Sequence, residues 1–480
     1  MRILSLIALS ALLFAGCVLP PPPPAPHAAP LSEQQVGLRG AAVAPGSESW
    51  WRSFADPQLD QLIGRGLESS PTLAQAQARL ASALEQVQSA RAGLLPNASL
   101  AASASYQRAP AAYAIPPPYA GHTFSLGQAG ASLGWDIDFW GRQADAVHRA
   151  QDLARAAHLD HEEAKLVLAG AIAQTYIELY RERALAEIAQ RSEAQRQHIV
   201  DITRERVAAG LDTRLELRQS EGEVPQAQVA REQAEAAAAL AVHQLATLTG
   251  QGADAYERIH APSLNVEAAL PVPTTLPMNL LARRPDVLSA RWQIDAADAQ
   301  RLAARAAFYP DVNLRALAGV GAFGLHNLVQ WSARGYGGGP FLSLPLFDGG
   351  RLRADYRASE AQLDAAIATY DDTVLRAVQE VADQLTRIDA LAREQAEQQR
   401  TLTATEAAYA LAEERYRAGL ASYLSVLNAE TQVLLARQTM VDIVASQADA
   451  RITLLLSVGG SFEPRASYLP TRSESGESHE

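Results

Sequence analysis

The chain of 480 residues is long enough to hold two or three ordinary domains around a large core. Its formal charge of −12 disfavours nucleic acid as a partner, because a phosphate backbone needs a basic face to meet it. A single cysteine excludes any disulfide within one chain.

The first residues have the layout of a secretory signal peptide over residues 1–16: Arg2, an apolar run from Ile3 to Phe14, then the small residues Ala15 and Gly16. The run is too short to span a bilayer. Cleavage that leaves Cys17 as the new N-terminus resembles the bacterial lipoprotein signal, which implies acylation of Cys17 and a lipidated linker over residues 17–47. Phe14 departs from the Leu usual at that place, and Val18 in place of Asp resembles sorting to the outer membrane. Loss of Arg2 with the signal takes the mature chain from −12 to −13. Beyond residue 16 no stretch of about 18 uncharged apolar residues follows, so a membrane crossing would have to use strands.

The chain then repeats itself once. Pro71, Ala76, Arg91, Ala92, Pro96 and Leu100 match Pro285, Ala290, Arg305, Ala306, Pro310 and Leu314 at a constant spacing of 214 residues. Glu205, Arg206, Gly210, Leu211, Leu215 and Glu221 match Glu414, Arg415, Gly419, Leu420, Leu424 and Glu430 at a spacing of 209. The change in spacing places a short indel in a loop, at the Pro-rich stretch from Tyr113 to Tyr119. The first repeat is assigned residues 48–250 and the second 280–460. Pro262, Pro271, Pro273 and Pro277 mark a non-helical crossover over residues 251–279.

Within each repeat the elements follow in the same order. Helical spacing from Thr72 to Leu94 stops at Pro96, and its counterpart from Val287 to Phe308 stops at Pro310. After each Pro the period changes to two. Ala98, Leu100, Ala102, Ala104 and Tyr106 alternate with polar residues, and Leu133, Trp135, Ile137 and Phe139 form the returning strand. The second pair is expected over Val312 to Val320 and over Leu342, Leu344 and Leu346, with Pro345 against the last. Strands of about ten residues with this alternation suit a transmembrane β-barrel or a soluble antiparallel sheet with one wet face, and both stay open at this point.

Long helical stretches follow, Gly141 to Val207 and Gly350 to Arg417. The second carries a seam of Leu363, Ile367, Tyr370, Val374, Val378, Val381, Leu385 and Ile388. At 1.5 Å per residue each makes a rod of about 95 Å. Turns at Gly210 and Gly419 lead to return helices ending near Thr247 and Leu456, the first of which should kink at Pro225. The tail over residues 461–480 has the composition of a disordered segment.

Four strands cannot close a barrel, since the smallest membrane barrels need about eight and an open edge is not tolerated in lipid. Strands that enter a membrane must therefore be shared among several chains. With hairpins at one end and Gly turns at the other, the expected object is a hollow tube. The motifs Trp50-Trp-Arg-Ser-Phe-Ala-Asp-Pro57, Trp135-Asp-Ile-Asp-Phe-Trp-Gly-Arg142, Arg284-Pro-Asp-Val287, Ala306-Ala-Phe-Tyr-Pro310, Leu346-Phe-Asp-Gly-Gly-Arg351 and Arg415-Tyr-Arg-Ala-Gly-Leu420 resemble those of the outer-membrane factors of multidrug efflux, the TolC-like and NodT-like lipoproteins, over residues 48–460.

That resemblance implies an α+β membrane protein: a homotrimer with a shared twelve-stranded β-barrel and a periplasmic α-barrel of long helical hairpins. It also implies an inner-membrane pump and a periplasmic adaptor as partners, outer-membrane lipid around the strands, no cofactor, and passive exit of drugs or other small solutes. In the family the tip is closed by a Leu and, four residues later, an Asp just after the second Gly turn. Position by position these become Leu424 and Asn428, with Leu215 and Gln219 as equivalents in the first repeat. Asn428 departs from the family and removes the carboxylate ring on which cation selectivity would rest. Near the turns Glu205, Arg206, Glu413, Glu414 and Arg415 either tie neighbouring helices or form a solvated face.

Other functions find less support. His158 and His161 with Glu162 and Glu163 lack the order of a zinc-protease helix, and Gly335 to Gly339 contains no phosphate-binding lysine, so no enzyme is expected. A periplasmic coiled-coil spacer, or the adaptor itself, has no use for duplicated amphipathic strand pairs. A duct for type I protein secretion is the alternative within the channel class.

Overall fold

The computed structural model describes residues 29–38, 49–112, 117, 119–266, 277 and 279–463. The expected signal segment, Cys17, residues 267–276 and 278 of the crossover and the tail beyond Glu463 lie outside the described residues. The chain divides into two compact units, each drawing on both sequence repeats: residues 80–157 with 290–370, and residues 31–79 with 158–289 and 371 onward. Among the described residues no helix is long and apolar enough to cross a membrane.

The first unit holds one antiparallel sheet in the order β1 (Asn97–Arg108), β2 (Thr123–Ile137), β3 (Asp311–Phe323) and β4 (Arg334–Ser343). The central pairing joins the two repeats, with Leu133 opposite Ala316 and Gly130 opposite Gly319. Because side chains alternate across a strand, the register sorts them into two faces. One face carries Leu100, Leu133, Trp135, Leu314, Tyr336 and Leu342, all exposed. The other carries Ser99, Ser103, Gln128, Ser132, Asn313 and Arg315, with Ser99 and Ser132 sharing a hydrogen bond of 2.8 Å across β1 and β2. Asn313 donates to Asp136 on that polar face, and the Arg315 guanidinium lies 4.6 Å from the Phe341 ring centre.

The fourth strand is displaced from its expected place. It ends at Ser343, before Leu344-Pro345-Leu346, because Pro345 has no N–H to give to a ladder. The Gly335 to Gly339 run is the body of β4. Pro340 is tolerated inside it because β4 is an edge, paired only with β3 among the described strands.

Helices α1 (Pro57–Ser69), α2 (Pro71–Ala92), α3 (Arg142–Ala208), α4 (Arg214–Leu248), α5 (Pro285–Ala306), α6 (Arg351–Arg417) and α7 (Tyr423–Ser457) complete the fold. The duplication is visible in their lengths: α3 and α6 have 67 residues each, and the return helices α4 and α7 have 35 each. At 1.5 Å per residue α3 and α6 are each about 100 Å long. Helix α4 runs on through Pro225 at the loss of one backbone hydrogen bond. On the α6 seam Leu363, Ile367, Tyr370, Val374 and Val381 are buried, while Val378, Leu385 and Ile388 are half-buried.

In the second unit the Trp-Trp motif supplies the core, as Trp50, Phe54, Leu59 and Ile63 pack with Ile172, Tyr176, Leu245 and Ile452. Full burial of such a side chain stabilises by about 2 kcal/mol. The Asp-Pro pair of the motif starts α1, with Pro57 in the first turn and Asp56 accepting from Gln58 N at 2.8 Å. Asp56 also accepts from Tyr176 Oη at 2.9 Å and Ser263 N at 2.8 Å. Burial pushes its pKa up, but the bonds from Ser263, Tyr176 and Gln58 outweigh it and hold the carboxyl below its ordinary value.

The Arg-Pro-Asp motif is a second organising point. Arg284 grips Asp286 at 3.0 and 2.7 Å, reaches Glu380 of α6 at 2.6 Å and donates to the Ser457 carbonyl at 3.1 Å. One guanidinium thereby fastens the start of α5, the middle of α6 and the end of α7.

Candidate functional site

The Gly turns that join the helical hairpins are built alike. Gly210 and Gly419 have φ of +72° and +75°, a conformation that costs a residue with Cβ but not glycine. Leu211 N bonds back to Arg206 O at 2.9 Å, and Leu420 N to Arg415 O at 2.8 Å, so both long helices end in the same six-to-one closure.

Past the first turn α4 opens with a capping box: Leu215 N donates to Thr213 Oγ1 at 3.1 Å and Thr213 N to Glu216 Oε2 at 3.0 Å. Past the second turn Ser422 occupies the cap position of α7 without a side-chain bond to the helix backbone.

Leu424 and Asn428 lie one turn apart on the exposed side of α7, Leu424 at 60% exposure, between the buried Tyr423, Val426 and Glu430. Leu215 and Gln219 occupy the matching exposed side of α4, Leu215 at 63%. The two leucines are exposed at equivalent places of the two return helices, as are Leu240 and Leu435 further along them.

Of the charges near the turns, Glu205, Glu414 and Arg415 are exposed. Glu413 meets Arg417 at 2.6 Å on an exposed face, worth at most about 1 kcal/mol. Arg206 is different. It is buried, grips Asp212 at 2.8 and 3.1 Å, donates to the Tyr416 carbonyl at 2.7 Å and lies 4.5 Å from the Tyr416 ring centre. Tyr416 Oη donates to Asp212 at 2.6 Å and pairs with Thr203 Oγ1 at 3.0 Å. Hydrogen bonding from Arg206 holds the Asp212 carboxyl below its ordinary range, while burial and then Asp212 push Tyr416 up to about 12.

A second buried tie lies further along the hairpins. Arg196 of α3 meets Glu430 of α7 at 3.1 Å and Glu223 of α4 at 3.2 Å, and it also donates to the Glu223 carbonyl at 2.8 Å. Burial pushes Glu430 above its ordinary pKa despite Arg196 beside it.

Sequence reasoning named Arg206 but missed Asp212, Tyr416, Arg196 and Glu223. One signal was present: Tyr416 stands where the first repeat has Val207, a break in the duplication at the turn itself.

The histidine cluster offers no ligand set. Glu162 is occupied by Lys165 at 2.8 Å with His161 at 3.7 Å, and among the described residues no group of three metal-binding side chains converges.

The comparisons with known proteins agree with this architecture. The model of the outer membrane efflux protein family matches residues 62–251 and 276–460. The chain is 30% identical to the multidrug resistance outer membrane protein MdtP of Escherichia coli over 470 residues, covering 95% of each. It is 32% identical to the pyoverdine export outer membrane protein OpmQ of Pseudomonas aeruginosa, covering 96% of this chain and 98% of that one. The fusaric acid resistance protein FusA of Burkholderia cepacia is 36% identical over 318 residues, which span 59% of its length. Among solved structures, the outer membrane protein VceC of Vibrio cholerae superposes with a TM-score of 0.80 at 32% identity, covering 87% of this chain and all of that one. The chain is a member of the outer membrane efflux protein family, and its place is the outer membrane.

Proposed function

We propose that three copies of this chain join β4 of one to β1 of the next, closing twelve strands into a barrel across the outer membrane, with the helical hairpins forming a periplasmic exit duct. The observation that carries this is the sheet itself. It has four strands, an exposed apolar face, and edges at β1 and β4 that no described strand covers. In lipid such edges must be paired, and β1 and β4 run in opposite directions, so edge-to-edge joining continues the antiparallel order. The apolar face has a fitting height. Trp135 and Tyr106 lie ten residues apart along the ladder, since Tyr106 pairs with Ser125. At about 3.3 Å per residue and a tilt of about 40° that gives roughly 25 Å along the membrane normal.

The duct is passive. Small solutes, such as the drugs and the pyoverdine named for the relatives, reach it from an inner-membrane pump through a periplasmic adaptor, which meets the exposed Leu211 and Leu420 at the turns. Leu424 and Asn428 form the inner ring of the gate, backed by Leu215 and Gln219. Three amides at Asn428 hydrogen-bond without net charge, so this ring gives no cation preference. Acylated Cys17 anchors each chain.

Single-channel recording of the lipidated protein in a planar bilayer, with its oligomer mass measured in the same detergent, tests the reading. A trimer is expected to form small, long-lived pores that enlarge when Leu424 and Asn428 are both replaced by Gly. A monomer without pores would overturn it.

A further inference from the structure

The two hairpin loops leave the same end of the sheet, and their described residues meet opposite faces. In the first, Tyr119 lies over the polar face: it stacks on Phe323 at 4.5 Å, and Phe124 meets Phe323 edge-on at 5.0 Å. Phe124 pairs with Gln107 and Phe323 with Leu126, which places both rings on the polar side by alternation.

The second loop holds two short 3₁₀ turns, Leu325–Val329 and Trp331–Ala333, and lies over the apolar face. Gly127 belongs to that face. A Cβ there would sit 2.6 Å from Leu328 Cδ1 and 2.8 Å from Leu325 Cδ2, so the two leucines rest on bare backbone. Gly324 N to Ser125 O at 2.7 Å and Asn327 Nδ2 to Phe323 O at 2.7 Å fix the seat.

What this loop shows to the outside is apolar and basic. Val329 is 87% exposed and Trp331 79%, next to Tyr336 at 91% on the first turn of β4. The Arg334 guanidinium lies 3.8 Å from the Trp331 ring centre, which holds the cation extended along the indole. Among the described strand residues of the apolar face, the charged ones are Arg108 and Arg334, both at the loop end, with no acid beside them on that face.

We infer that the Leu325–Ala333 loop is a collar seated in the outer leaflet, where Arg334 and Arg108 bind the phosphate groups of an anionic, phosphorylated glycolipid. The inference rests on the reading that the apolar face contacts lipid, and it adds a head-group site to that face. A lipid fits better than a protein because the loop continues the lipid-facing surface without a break. Trp and Tyr are side chains of the membrane interface, and Arg matches phosphate with two parallel donors. Closure of the ring brings the β1 and β4 edges of neighbouring copies together, so every seam carries one Arg108 and one Arg334.

The test uses the full-length protein in phosphatidylcholine vesicles doped with bisphosphorylated lipid A or its dephosphorylated form. Co-purified glycolipid is measured by native mass spectrometry, and tryptophan quenching by phosphatidylcholine with brominated chains is read in parallel. The wild type should retain the phosphorylated form about tenfold better than the dephosphorylated one. Arg108→Gln with Arg334→Gln should abolish that preference, and Arg108→Lys with Arg334→Lys should restore part of it. Trp331→Phe should lower the quenching while Trp135 and Trp140 keep the remainder. Equal retention of both forms by the wild type, or an unchanged preference in the Gln variant, overturns the inference. Quenching that Trp331→Phe leaves untouched also overturns it while the lipid-facing reading stands. Absence of any quenching overturns both.

Discussion

The two helical hairpins are copies in backbone and differ in the side chains that fasten their turns. Their long helices have equal length, as do their return helices, and both end in the same glycine closure. The first turn, however, is fastened from within by Arg206, Asp212 and the Thr213 capping box. The second has an uncapped Ser422, exposed charges at Glu414 and Arg415, and a Tyr416 held by groups of the first. The difference teaches that one hairpin is a fixed post and the other is moored to it. The moored one carries Leu424 and Asn428, the residues proposed for the gate, and only the ties to its neighbour hold its turn in place.

Severing the mooring should have the largest effect. Arg206→Ala leaves the half-buried Asp212 without its cation and Tyr416 without its ring partner, a loss of about 2 kcal/mol. It should appear as faster amide exchange over residues 203–216 and 416–426, with the sheet unchanged. Equal exchange in the two turns before the substitution would show that the asymmetry has no energetic content.

An acid of the opposite kind sharpens the comparison by pH. Asp212 is depressed, so its stabilisation is present above its ordinary pKa of 3.8 and is lost as pH falls through its lower value. Glu163 of α3 is raised to about 7, first by burial and then by Asp286, with Arg284 opposing. Its folded form binds the proton more tightly than the unfolded chain. Its contribution to stability is therefore fully present below 4.5 and is lost as pH rises through 7. Glu163→Gln should remove that slope and raise stability at pH 8 by about 2 kcal/mol, less than the full shift because the group is not fully enclosed. A thermal melt that follows the wild type at both pH values would refute it.

The smallest effect separates the two turns directly. Thr213→Ala should cost about 1 kcal/mol through the lost cap, whereas Ser422→Ala should be nearly neutral, measured as local exchange at each turn. Similar losses at both would mean that Ser422 caps its helix in solution and that the contrast is narrower than drawn.

Much of the fold was legible because its elements are long and its periods clean. The 67-residue helices could be bounded to within a residue from Gly141, Gly210, Gly350 and Gly419, since a glycine at a helix end has a local reason to be there. Strand β4 was misplaced because a run of glycine has no alternation to read, so the eye moved on to Leu344 and Leu346. The loop turns at Leu325–Ala333 escaped for a similar reason: their apolar residues are neither helical nor alternating in spacing. The tie at Arg206 stayed hidden because its partners are Asp212 across a turn and Tyr416 on another helix. A charge among charges looks solvated until the fold encloses it. Leu424 and Leu215 were named as gate residues by the resemblance, and one chain shows them only as exposed leucines, because the proposed closure needs copies of the chain that one sequence does not count.

The edges of β1 and β4 also bear on the life of the chain before it reaches the membrane. The sheet is nucleated late, since its central pairing joins residues as distant as Leu126 and Phe323, and contacts of such sequence separation form slowly. Until the copies that the proposed barrel requires meet, each chain in transit carries two adhesive borders in water. Pro340 and the glycines of β4 make one border a poor template for indiscriminate growth, since Pro340 interrupts its row of donors and the glycines give it no grip. The same strand that must accept one neighbour is thereby slow to accept the wrong one, and assembly gains time at the expense of some strength in the finished seam.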